Sequence, residues 1–80
     1  MLYLIVQVTN SNLVEPIQEL LISKYPKLTF ITCNKRARTI IFKYNEAVTD
    51  DILFNIRNHD NVIATAIDDA ECLTNGWLMF

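Results

Sequence analysis

Three groups of side chains in this 80-residue sequence are of types that do chemistry. The first is acidic: Asp68, Asp69 and Glu71 lie close together, with Asp50 and Asp51 upstream. Clustered carboxylates can hold Mg²⁺ or Ca²⁺, but a calcium loop alternates its oxygen ligands around an invariant glycine. The single glycine of this chain is Gly76, outside the cluster. The second is His59 beside Asp60, and the third is the pair Cys33 and Cys72. A nucleophile and its base would need one thiol next to His59, and nothing in the spacing supports that. Phosphate-cradling loops need glycines that are missing here. The sequence therefore predicts no catalytic, cofactor-binding or metal-ligating residue, and a protein that is not an enzyme.

Each of these groups has a structural explanation. Thr49 is a good helix N-cap, and Asp50 and Asp51 in the first turn suit the positive end of a helix dipole. His59 falls at the end of that helix, where a cation is favourable. Cys33 and Cys72 read as two reduced, packed thiols.

Periodicity places the elements. Leu2 to Thr9, "LYLIVQVT", reads as a strand. A helix follows at about 12–25, with Asn12 and Glu15 as a capping box and Ile17, Leu20, Leu21 and Tyr25 on one face until Pro26 stops it. Leu28 to Cys33 and Arg38 to Tyr44 read as a second and third strand. A second helix runs from Thr49 to about His59, and Val62 to Ile67 is a fourth strand. Cys72 to Phe80, "CLTNGWLMF", reads as a terminal hairpin turning at Asn75-Gly76. The order βαββαβ in one 80-residue domain predicts an α+β, ferredoxin-like sandwich. In that fold two helices cover one face of a four-stranded antiparallel sheet, with strands one and three in the centre.

Alternation then assigns the faces. Leu2, Leu4, Val6 and Val8 face the helices, with Ile40, Phe42 and Tyr44 from strand three and Leu28 and Phe30 from strand two. The opposite face receives Tyr3, Ile5 and Gln7, then Thr29, Ile31 and Cys33, then Thr39, Ile41 and Lys43, and Ile63, Thr65 and Ile67 from strand four. A solvated face should be polar. This one has an apolar centre of Tyr3, Ile5, Ile31 and Ile41, a patch large enough to mark an interaction site. The tail carries the matching surplus in Trp77, Leu78 and Phe80. The two predict an interface: the tail folded back or two chains packed together, of which the expected assembly is a homodimer with C2 symmetry.

The net charge of -2 conceals an asymmetry. Residues 1–45 carry six basic and two acidic side chains, a net +4, and residues 46–80 carry one basic and seven acidic, a net -6. The acidic half, with Asp50, Asp51, Asp68, Asp69 and Glu71, is a candidate docking surface for another protein. The basic stretch Lys35, Arg36, Arg38 and Lys43 is a candidate nucleic-acid contact. In this respect "LYLIV" at residues 2–6 resembles the first RNP stretch of RNA-recognition motifs, with Tyr3 where a stacking aromatic belongs, and "RARTIIFKY" at 36–44 loosely resembles the second. That resemblance implies single-stranded nucleic-acid binding through Tyr3. The fold is also similar to ACT-type domains, which implies a small effector at the loop Thr9-Asn10-Ser11-Asn12.

With 51% hydrophobic residues the chain is a folded globule. No apolar run approaches the ~20 residues of a membrane span, and no basic leader region precedes the first strand. These features predict a cytoplasmic protein. The Asn- and Ile-rich, Gly-poor composition suggests an AT-rich genome, such as that of a phage. The function expected from sequence is protein–protein contact by a small regulator or inhibitor, of the kind a phage or mobile element encodes.

Overall fold

In strand β1 (Leu2–Val8), Leu4, Val6 and Val8 are buried on one face and Ile5 is buried on the other, while Leu2 is exposed. The computed structural model describes residues 2–69. After β1, the Asn10 side chain accepts the N–H of Asn12 at 2.8 Å and caps a short 3-10 turn, Ser11–Leu13. Helix α1 (Val14–Lys24) continues from it. The side-chain cap thus comes from Asn10 and serves the 3-10 turn, while α1 itself begins after Leu13 with no side-chain cap in place of the expected Asn12. Val14, Ile17 and Leu21 form the buried stripe, whereas Leu20 is exposed. Proline 16 sits in the first turn, where its missing N–H is harmless, and Tyr25 before Pro26 leaves helical geometry at φ -126°, ψ 75°.

Strands β2 (Phe30–Asn34) and β3 (Thr39–Lys43) form an antiparallel pair. Helix α2 (Asp50–Arg57) starts where the Thr49 hydroxyl accepts the Ile52 N–H at 3.3 Å, and strand β4 runs Val62–Asp69. The sheet is antiparallel in the order β2-β3-β1-β4, so β1 and β3 are its inner strands. This is a four-stranded α+β fold with two helices. One core cluster joins Leu4, Val6, Ile40 and Phe42 of the sheet to Ile17 and Leu21 of α1 and Ile56 of α2, so both helices lie on the same face. Phe30 meets Phe42 edge-to-face within it, centroids 6.1 Å apart.

Two irregularities overturn the faces expected for the edge strands. On β2, Phe30 pairs with Phe42 but Thr32 pairs with Ile41, leaving Ile31 as an extra residue. On β4, Val62 pairs with Val8 and Ala64 with Gln7, leaving Ile63 extra. One extra residue inverts every later side chain. Cys33 therefore pairs with Ile40 and packs on the helix-side core. Thr65 and Ile67 pair with Val6 and Leu4, also on the helix side. Ile31 and Ile63 are exposed at their bulges and do not join the apolar centre of the other face.

Candidate functional site

The register brings four carboxylates from separate parts of the chain to one end of the domain. Asp69 pairs with Leu2, and the Tyr44 N–H, just past β3, donates to the Leu2 carbonyl at 3.0 Å. Residues 45–49 then lead into α2. Asp50 and Asp51 in the first turn of α2 and Asp68 and Asp69 at the end of β4 thus share this end, and all four are exposed. Glu71 lies outside the described residues, as do Trp77, Leu78, Phe80, Cys72 and the hairpin expected over 72–80.

The elements that carry these carboxylates also expose large apolar side chains that the sequence reading missed. The Arg57 Nε donates to the Thr65 hydroxyl at 2.7 Å, which fixes the side of α2 that faces β4. Helix and strand run antiparallel, so the level of Phe54, one turn back from Arg57, is nearer the Ile67 end of the strand, with the Phe54 ring outward. Phe54 is 66% exposed, and Leu2 and Ile67 are 44% and 39% exposed. The signal was available in sequence: Ile52, Leu53 and Ile56 form the inward stripe, and at 100° per residue Phe54 falls on the far side of it.

The face away from the helices has the expected residues from the inner strands: Tyr3, Ile5 and Gln7 of β1 against Lys43, Ile41 and Thr39 of β3. From β4 it takes Asp68, Ala66 and Ala64. Its centre is closed. Ile5 is 1% exposed and Ile41 and Thr39 are 0% exposed within the single chain. Among the described residues only Tyr3 and Ala66 pack against the Ile5–Ile41 pair, and the buried Thr39 hydroxyl has no hydrogen-bond partner there.

The basic residues are divided. Lys35, Arg36 and Arg38 lie on the β2–β3 turn at the opposite end from the carboxylates, where Val8 donates to the Arg38 carbonyl at 2.8 Å. Lys43 lies at the acidic end, across Tyr3 from Asp68. The two groups are separated by roughly the 3.3 Å per residue rise of β3, more than 10 Å in all. The turn is well built: the Asn34 side chain accepts the Ala37 N–H at 3.0 Å, and Arg38 takes the left-handed conformation at φ 57°. Lys35 reaches Glu15 of α1 at 2.7 Å. The hydrogen bond that Lys35 donates to Glu15, then the Glu15 charge, holds the Lys35 ammonium above the ordinary lysine value.

The remaining chemical groups are occupied locally. His59 Nδ1 accepts the Asn61 N–H at 3.1 Å and shapes the turn into β4. Cys33 is a half-buried free thiol. Among the described residues no three His, Cys, Asp or Glu side chains are grouped to hold a metal ion, and no helix there is long and apolar enough to cross a membrane. Phe42 and Tyr44 face the helix-side core, so the inner strands present Tyr3 as the aromatic of the other face. Compared with protein-family models, with curated proteins and with solved structures, the chain matches none.

Proposed function

We propose that the protein is a non-enzymatic protein-binding module, a small regulator or inhibitor built on a ferredoxin-like sandwich, that docks through its acidic end onto a basic partner protein. The fold assignment is supported by the βαββαβ chain order with β1 and β3 inside and both helices on one face. The binding reading is carried by one observation: the four exposed carboxylates Asp50, Asp51, Asp68 and Asp69 share one end of the domain, on elements that also carry the exposed apolar side chains Leu2, Phe54 and Ile67. An apolar centre with a charged rim is the common anatomy of a protein interface. The carboxylates steer encounter, and desolvation of Phe54 sets the lifetime of the complex.

The expectation of a homodimer rests on the sheet face needing a cover. With Ile5 and Ile41 already buried in one chain, the acidic end offers the stronger reason for a contact, and two such ends repel each other. The partner is accordingly a different protein with a basic rim. Nucleic-acid binding would need the basic turn and Tyr3 to share one groove, and the register separates them. Capture experiments with immobilised full-length protein test this. Charge reversal at Asp68 and Asp69, and Phe54→Asp, should each abolish capture of the same protein that Lys35→Ala/Arg36→Ala leaves bound. Micromolar binding of single-stranded RNA that is lost in Lys35→Ala/Arg36→Ala would overturn the proposal.

A further inference from the structure

We propose that the outer edge of β4 pairs with the same edge of a second copy, antiparallel about Ala66, so that two sheets join into one. β4 is the last strand in the order β2-β3-β1-β4, and no described strand lies on its outer side. The backbone directions on that side follow from the hydrogen bonds of β1. The Val8 N–H donates to the Arg38 carbonyl and the Leu2 carbonyl accepts the Tyr44 N–H, both on the β3 side. The Thr9 N–H, just past the strand, donates to the Asn61 carbonyl on the β4 side. Alternation therefore turns Tyr3, Ile5 and Gln7 toward β4, opposite Asp68, Ala66 and Ala64. The residues between those, Thr65 and Ile67, direct their N–H and carbonyl groups outward. This window is bounded at both ends. The Ile63 bulge precedes it, and the Asp69 N–H is taken by the Asp68 carboxylate at 2.8 Å. Inside it there is no lysine or proline of the kind that guards exposed edges. Ile63 and Ile67 are 53% and 39% exposed.

A second copy fits this window, and charge fixes its register. With the two-fold axis at Ala66, Thr65 and Ile67 of each copy exchange their hydrogen bonds with Ile67 and Thr65 of the other, so every outward group of the window is used. Thr65 and Ile67 also form a β-branched cross-strand pair on the helix side, and the small Ala66 side chain lets the strands approach at the axis. The Asp68 carboxylates of the two copies are then four residues apart along the ladder, ~13 Å at 3.3 Å per residue. That exceeds the ~8–10 Å over which salt screens exposed charges. An axis at Ile67 would bring them to ~7 Å and set the occupied Asp69 N–H opposite Thr65. An axis at Thr65 would set the Ile63 bulge opposite Ile67, where the ladder is broken. The Ala66 register also places Ala64 opposite Asp68 of the second copy. This edge-to-edge contact differs from the face-to-face homodimer expected from sequence and stands independently of docking through the acidic end. It leaves the two acidic ends pointing apart, so the dimer offers two docking surfaces to a basic partner.

The test is sedimentation of the full-length protein from micromolar to millimolar concentration, with circular dichroism to confirm that each variant is folded. The wild type should pass from one chain to two across this range. Ala64 is exposed, and Ala64→Lys places a cation opposite Asp68 of the second copy at two symmetric sites. It should tighten the dimer by about tenfold, and Ala64→Asp should weaken it by a similar factor. Combining Ala64→Lys with Asp68→Lys should abolish the gain. Ile67→Pro removes an outward N–H without touching the ladder to β1 and should leave a folded monomer; if that variant does not fold, the Ala64 pair decides. A wild type that stays monomeric throughout, as it would if another part of the chain held this edge, would overturn the proposal. A dimer equally tight in Ala64→Lys and Ala64→Asp, or one that survives Ile67→Pro in folded protein, would place the contact elsewhere and overturn it as well.

Discussion

Ile40 and Ile41 are neighbours on β3, identical in type, and point to opposite faces; each is 0% exposed. Ile40 belongs to the core under the helices, and Ile41 belongs to the face without them. Truncating a fully buried isoleucine to alanine costs about 2–5 kcal/mol, and to valine about 0.5–1.5 kcal/mol. On a solvated sheet surface the same changes fall within about 1 kcal/mol, the span of strand propensities. If the second face is closed, Ile41→Val and Ile40→Val should therefore destabilise alike, each by about 1 kcal/mol. That corresponds to roughly 4–8 °C in Tm for a domain of this size. The alanine variants remove a large part of the roughly 4–12 kcal/mol available to a chain of this length, so the valine pair is the safer comparison. Urea denaturation of full-length protein followed by far-ultraviolet circular dichroism gives the values, with equal slopes showing that the unfolded state is unchanged. A full cost at Ile40 with Ile41→Val indistinguishable from wild type would refute the closed face.

Three further outcomes follow from single sites. Thr39→Val replaces a buried hydroxyl that has no partner among the described residues, and should stabilise by about 1 kcal/mol in the same denaturation assay; a loss of that size would show the hydroxyl to be bonded. Arg38 holds a left-handed conformation at φ 57°, so Arg38→Gly should raise stability by up to about 1 kcal/mol while Arg38→Val lowers it. The raised Lys35 pKa means that the Glu15 contact operates below the ordinary lysine value and is lost as pH rises through the folded one. NMR titration should place Lys35 above ordinary lysines, with the difference removed in Glu15→Gln. Both partners are mostly exposed, so that substitution should leave Tm nearly unchanged.

The parts of the fold legible in sequence are those where one rule acts alone. The uninterrupted ladder between β1 and β3 let simple alternation assign both faces of both strands, down to Phe42 inside and Ile41 outside. Thr49 followed by two aspartates located the start of α2. The edge strands defeated the same reasoning because Ile31 and Ile63 are bulges. An isoleucine in a bulge carries no mark such as glycine, and one inserted residue moved Cys33, Thr65 and Ile67 to the opposite face. The start of α1 was misplaced because a 3-10 turn capped by Asn10 takes up Asn12 before the helix begins. The acidic end was visible only as composition. Asp50, Asp51, Asp68 and Asp69 share one end because β4 returns alongside β1, and Phe54 is exposed by falling off the inward stripe of its helix.

The most direct test of docking through the acidic end is the association rate of the captured partner, measured by surface plasmon resonance at low and high salt. Steered association slows about tenfold or more as ionic strength rises. The wild-type protein should show that fall. Asp68→Lys/Asp69→Lys should show the same slow association at low salt with its dissociation rate nearly unchanged, and Phe54→Ala should accelerate dissociation instead. An association rate that is indifferent both to salt and to charge reversal would contradict the account.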